Sequence, residues 1–253
     1  MHIALSIIGG LLWGSFLNVC IVRLPHNHSV VGGRSRCPHC NTMIPWYHNI
    51  PLISFCVLRA KCHHCVKPIS IQYPLVEAGT ALTSLLLYQK LGYTPSFACY
   101  ALFASGLIVL SVIDLYYQII PDEISLGGIA LGFALSFTGW TVVWWNALLG
   151  ILLGGGSLLA IAFLYEKLAH KEGLGGGDIK LLGMIGAWLG IQSLLPVVVL
   201  SSLFGSIVGL IYMFLQRKNL KTAIPFGPFL SIAALLFLLL REPMVQFLLG
   251  GVE

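Results

Sequence analysis

The stretch Gly106–Ile124, GLIVLSVIDLYYQIIPDEI, decides how the chain is read. No charge occurs between Ser96 and Ile113, a run close to the roughly 20 residues that cross a bilayer as a helix, and the run then meets Asp114. A helix on the surface of a soluble protein would set an apolar stripe against a charged face; this one has no charged face. An ionisable side chain at the end of such a run is expensive to keep there, and is a functional candidate by default.

Composition extends this reading to the whole chain. Of 253 residues, 57% are hydrophobic and 9% charged, where soluble domains carry roughly 25% charged. With a mean hydropathy of +0.90, this excludes a water-soluble globule, a disordered chain and a secreted disulfide miniprotein. The net charge of +5 is too small and too scattered for nucleic-acid binding.

Eight apolar segments can be drawn, at 3–22, 74–89, 97–115, 124–141, 143–164, 179–195, 197–215 and 225–249. The fourth and fifth are joined tightly around Gly139–Val143, and the sixth and seventh around Pro196. Residues 1–22 carry no Lys or Arg ahead of the apolar run, and Arg23 follows it. That reverses a secretory signal and predicts an uncleaved first span whose end is cytoplasmic. Alternating sides from there puts twelve of the fourteen Lys and Arg in cytoplasmic loops, leaving Lys90 and Arg241 opposite, as the positive-inside rule requires. The expected fold is an all-α polytopic membrane protein of about eight transmembrane helices, with a small cytoplasmic zinc-binding loop domain after the first helix. Its parts are the first helix (1–22), a four-cysteine zinc-binding domain (23–73) and a polytopic remainder (74–253).

The loop domain contains CPHC (Cys37–Cys40) and CHHC (Cys62–Cys65). A C-x2-C knuckle turns two thiolates to one side, and two knuckles complete a tetrahedral site of four sulfurs suited to zinc. A reducing cytoplasm disfavours disulfides, and a loop of this size with little core needs a metal to fold. Four Cys close the site structurally, which leaves His39, His63 and His64 around it or exposed. Cys20, Cys56 and Cys99 read as small buried hydrophobes.

Of nine carboxylates, Glu242 and Glu253 lie at the C-terminus, while Glu166 and Glu172 sit beside Lys167 and Lys171. Asp114 closes the third span, and Asp178, in GLGGGDIKLL, opens the sixth from the same side. Asp178 also reads as a helix N-cap, and Asp122 after Pro121 more so; Asp114, at a helix end, has no such reading. Two carboxylates brought together share a proton, so one activates water while the other polarises a carbonyl. That is aspartic-protease chemistry. Gly173, Gly175, Gly176 and Gly177 would let an extended peptide approach Asp178. They make neither a P-loop nor a dinucleotide fingerprint, and Gly154–Gly156 read as helix-packing residues. Lys180 pairs either with Asp178 or with phospholipid.

Six motifs in order resemble the bacterial type IV prepilin peptidases, bifunctional leader peptidase/N-methyltransferases. They are GSFLNVCIVRLP (Gly14–Pro25), the two Cys pairs, IQYPLVE (Ile71–Glu77), IDLYYQIIPDEI (Ile113–Ile124), GLGGGDIKLL (Gly173–Leu182) and IPFGPFL (Ile224–Leu230). The resemblance implies a multi-pass protein of the bacterial inner membrane with its active site on the cytoplasmic side. Asp114 and Asp178 would be the catalytic pair, the second in a GxGD motif (Gly175 to Asp178), with Gly175, Gly177, Asp122 and Lys180 supporting that loop. The implied substrates are type IV prepilins or pseudopilins, cut after a Gly that ends a basic leader. The new N-terminus, usually Phe, would then be methylated from S-adenosylmethionine. Asn18, Arg23 and Glu77 match family positions and become candidates for holding that cofactor beside the zinc domain. Where the family usually has Gly, two residues before the third Cys, this chain has Ala60.

Three rival readings are a protease of remnant signal peptides, a transporter and a non-catalytic assembly factor. The first has no need of a zinc loop. The second favours acids near the midplane and paired repeats, whereas these acids lie at one face. The third requires that loss of either aspartate be harmless.

Overall fold

The computed structural model describes residues 1–169, 175–216 and 225–249. Among these the protein is helical throughout, with no strand beyond two isolated bridges. The helices are α1 (His2–Arg23), the one-turn α2 (Ile53–Val57), α3 (Gln72–Leu91), α4 (Pro95–Tyr117), α5 (Asp122–Leu135), α6 (Trp144–Ala169), α7 (Gly176–Leu189), α8 (Leu194–Gln216) and α9 (Gly227–Leu249). Two compact units divide at Ala101/Leu102, inside α4.

Each expected apolar segment contains a helix, but the expected eight spans are not all of membrane length. Among the described residues four helical stretches are long and apolar enough to cross: His2–His26, Pro95–Tyr117, Trp144–Leu168 and Ile191–Leu215. Helices α5 and α7 have 14 residues each, about 21 Å at 1.5 Å per residue. Helix α5 stops at Leu135 rather than 141, because the Ser136 and Thr138 hydroxyls bond the carbonyls of Phe133 and Leu135 at 2.6 Å each and compete with the helix ladder. Helix α7 stops at Leu189 because Gly190 takes φ +79°. Pro196, expected in the connection, instead lies in the first turn of α8, where a missing N–H is tolerated. In α9 the backbone departs from helical geometry at Leu240, with φ −115° and ψ 26°.

In the first unit α1 packs on α3 through Gly10 and Gly14. A Cβ on Gly10 would stand 2.6 Å from Ala81 Cα, and one on Gly14 2.8 Å from Glu77 Cα. This is the small-xxx-small contact that lets two membrane helices touch backbone to backbone. The second unit repeats the device. Gly150 on α6 abuts the backbone of Gly186 on α7, and a Cβ on Gly154 would stand 2.9 Å from the Leu182 carbonyl. On α5, Gly132 faces Trp188, whose Nε1–H donates to the Gly128 carbonyl at 2.8 Å. Every residue from Leu181 to Leu189 is buried, so α7 is the central helix of this unit, and Asp178 sits in its first turn.

Candidate active site and metal centre

Asp114 lies one turn before the end of α4. Its carbonyl accepts from Gln118 N–H at 3.0 Å, and Gln118, at φ +54°, ends the helix. The side chain is 6% exposed. Oδ2 accepts a buried hydrogen bond of 3.0 Å from the backbone N–H of Gly227, the first residue of α9. A Cβ on Gly227 would stand 2.6 Å from that oxygen and 3.3 Å from Ile120 Cδ1, and one on Gly177 would stand 3.0 Å from Ile120 Cβ. Ile120 therefore packs between the start of α9, where Gly227 meets Asp114, and the start of α7, where Asp178 follows Gly177.

Asp178 is not an N-cap. That position belongs to Gly175, and Asp178 is the third residue of α7, its N–H donating to Gly175 O at 3.1 Å. A Cβ on Gly175 would lie in ordinary van der Waals contact with Asp178 Oδ2, at 3.5 Å. Asp122 is not a cap either: Pro121 holds that position. Asp122 Oδ1 instead accepts from Lys180 Nζ at 2.6 Å, a partner that neither alternative for Lys180 had named. Gly173 lies outside the described residues, as do Glu172, Lys171 and the basic positions 217, 218 and 221.

The Sγ atoms of the four cysteines lie within 4.8 Å of one another, with Cys37 and Cys65 at 3.9 Å. A tetrahedron with Zn–S of about 2.3 Å has edges of about 3.8 Å, so the donor set fits zinc. The two knuckles are copies of one another. Cys37 N–H bonds Thr42 O as Cys62 N–H bonds Lys67 O (3.0 and 2.9 Å). Ile44 N–H bonds Ser35 O as Ile69 N–H bonds Ala60 O (2.9 and 2.8 Å). Asn41 and Val66 hold the matching positive-φ corners, and Ala60 is itself at φ +57°. Bonds to the Thr42 side chain and backbone bring the Cys40 thiol down to about 6. The backbone N–H groups of Cys65 and His64 lower Cys62 as well. Burial and bonds from the neighbouring thiols push Cys65 the other way, to about 11, so Cys40 and Cys62 are the two drawn towards the thiolate that a metal binds. His39, His63 and His64 are exposed. Cys99 is buried and Cys20 partly so, but Cys56 is exposed, contrary to expectation, because the one-turn α2 buries only Ser54.

Beside the tetrad opens a cavity of about 880 Å³, lined among others by Asn18, Arg23, Cys37, Cys62 and Glu77. Asn18 is 2% exposed. Its Nδ2 donates to Gly14 O and Tyr73 O at 3.3 and 3.1 Å, while Oδ1 is buried with no partner among the described residues. Glu77 accepts from Leu52 N–H at 2.9 Å, and Leu52 is held at φ +57° to deliver it. Arg23 bonds the carbonyls of Ser29 and Gly32 at 3.0 and 2.6 Å and so ties down the start of the loop.

Sequence reasoning missed Gly227, Ile120 and Leu52. Gly227 stands in a quoted motif, but nothing local shows that its N–H meets a residue 113 positions away.

Residues 8–91 match the Bacterial Peptidase A24 N-terminal domain, and residues 101–210 match the Type IV leader peptidase family. Three similar proteins, each described as a prepilin leader peptidase/N-methyltransferase, illustrate the likeness. That of Pseudomonas putida is 36% identical, covering 91% of this chain and 88% of its own length. That of Pseudomonas aeruginosa is 37% identical, covering 92% and 89%. That of Aeromonas hydrophila is 34% identical, covering 98% and 94%. No solved structure gives a significant match. With both domains matched in order and relatives aligned over most of their length, the chain belongs to the type IV leader peptidase family.

Proposed function

We propose that this chain is the processing enzyme of type IV prepilins or pseudopilins in the bacterial inner membrane. It removes the basic leader after Gly at the cytoplasmic face, and then N-methylates the new N-terminus from S-adenosylmethionine. The peptidase chemistry belongs to residues 74–253, with Asp114 and Asp178 as the catalytic pair, and methyl transfer is associated with the four-cysteine domain of residues 23–73.

The observation that carries the peptidase reading is the gathering of the two aspartates around Ile120, one buried at a helix end and one in a helix's first turn. One carboxylate takes a proton from water as the other gives one to the scissile carbonyl. Cytoplasmic sidedness rests on the placement of twelve of fourteen basic residues. A substrate with a basic leader beside an apolar helix would present its scissile bond at that face. The Asp122–Lys180 pair joins the starts of α5 and α7 and so supports the loop that carries Asp178.

The cavity suits S-adenosylmethionine in size, since small-molecule sites run to about 300–1,000 Å³. Its charges suit it too: Glu77 is the one carboxylate among the lining residues, set against Arg23, Arg34, Arg36 and Lys67. When bound, the cofactor supplies an electrophilic methyl group. Glu77 would face its cationic part, the basic residues its carboxylate, and Asn18 would offer the unpartnered Oδ1. Zinc's part is to hold the knuckles that form one wall.

The deciding experiment incubates a prepilin with membranes containing the wild type, Asp114→Ala or Asp178→Ala. Wild-type membranes should cleave it, and each variant should lose at least about 10³-fold in rate. Cleavage at the wild-type rate by either variant would sink the pair. Labelled S-adenosylmethionine with a pre-cleaved pilin tests the second activity, and failure of wild type to transfer label would leave a peptidase alone.

A further inference from the structure

We propose that Gly227 is a positioning residue of the peptidase, whose backbone N–H divides the labour of the aspartate pair: Asp114 is the base and Asp178 carries the proton. This rests on the peptidase reading above.

The argument begins with what the first turn of α9 can donate. A helix start leaves N–H groups without intrahelical partners. Here Pro228 has none to offer, and those of Phe229 and Leu230 bond the Phe226 carbonyl at 3.1 and 3.2 Å. That leaves the N–H of Gly227, and it is aimed at Asp114 Oδ2 at 3.0 Å, buried. An N–H only donates, so Oδ2 is held as an acceptor and does not carry the shared proton. A charge-assisted bond at a helix N-terminus supports a carboxylate there. Asp114 needs that support, because it sits at the unfavourable C-terminal end of its own helix. Asp178 also lies in a first turn, but the cap position there belongs to Gly175. Among the described residues Asp178 feels the Asp114 charge, while Asp122 and Lys180 engage each other at 2.6 Å. A Cβ at 227 would stand 2.6 Å from the carboxylate oxygen, so any other residue there must push the Asp114 carboxyl away from the N–H.

The step then balances as follows. Asp114 takes a proton from water as the water oxygen bonds the scissile carbonyl carbon, and the Asp178 proton passes to the carbonyl oxygen. The resulting diol collapses as its C–N bond breaks. The nitrogen takes the proton from Asp114, and a diol hydroxyl returns one to Asp178.

Gly227→Ala tests this with the full-length protein and a prepilin, reading the pH dependence of cleavage. Loss of a donor to the charged form makes the base ionise at higher pH. The acidic limb of kcat should therefore move up by about one pH unit, and the alkaline limb should stay. kcat should fall at least about tenfold, with KM within about threefold. Label transfer to a pre-cleaved pilin by the same preparation reports that the variant is folded. A folded variant with wild-type kcat and limbs, or with both limbs moved together, overturns the proposal. If Gly227→Ala does not accumulate, Asp178→Asn is compared with Asp114→Asn. An amide imitates a protonated acid but not a base, so Asp178→Asn should retain at least about tenfold more cleavage; equal or reversed rates overturn the assignment. Wild-type membranes that do not cleave prepilin would overturn the underlying reading instead.

Discussion

Ala60 shows how much one side chain can say once its backbone is known. It sits at φ +57°, where a Cβ costs roughly 1 kcal/mol or more, and its carbonyl completes the second knuckle through Ile69 N–H at 2.8 Å. Gly would take this conformation without cost, and Ala meets it with strain. Ala60→Gly is therefore expected to stabilise the four-cysteine domain by about 1 kcal/mol without loss of methyl transfer, as thermal unfolding with bound zinc would report. The Asp122–Lys180 pair is short but half-exposed, with side-chain exposures of 57% and 36%. Exposed pairs contribute below about 1 kcal/mol. Asp122→Asn should lower thermal stability only slightly, and the difference should vanish in high salt. The candidate acids were legible because so few carboxylates exist to choose among. The partner of Lys180 was not, because it lies 58 residues away.

Among the helices, glycine spacing decides which faces meet. On α6, a Cβ at Gly154 would stand 2.9 Å from the Leu182 carbonyl and from a Leu194 methyl, while Gly156 faces open space. Gly154→Leu should destabilise the protein by about 1–3 kcal/mol through overpacking, and Gly156→Leu should accumulate and cleave as wild type does; accumulation in membranes and thermal stability are the readouts. The eight apolar segments were legible as helices because membrane helices write their character into uninterrupted apolar runs. Their ends were less so. Apolar composition continues through Phe137 and Trp140, and the stop signal is a pair of hydroxyls that fold back on the ladder.

Across the whole molecule, the tetrad and the aspartate pair fall in different compact units, Met1–Ala101 and Leu102–Glu253. A four-cysteine site holds together a loop with little core, so Cys37→Ser with Cys62→Ser should abolish zinc binding and methyl transfer. Cleavage, whose residues have their own buried helix α7, should persist within about tenfold. Elemental analysis should find about one zinc per wild-type chain, and a metal-free, fully active wild type would remove the metal from the account.

Sequence alone determined the membrane character, the four candidate metal ligands and the two candidate acids. Each is written in local terms: an apolar run, a C-x2-C spacing, a lone charge where charge is costly. Tertiary structure decided what those groups touch. Gly227 N–H meets Asp114, Leu52 N–H meets Glu77, and Ile120 stands between two helix starts. Such contacts depend on how closely helix backbones approach, and that is set by small residues on separate segments acting together. No local preference encodes it.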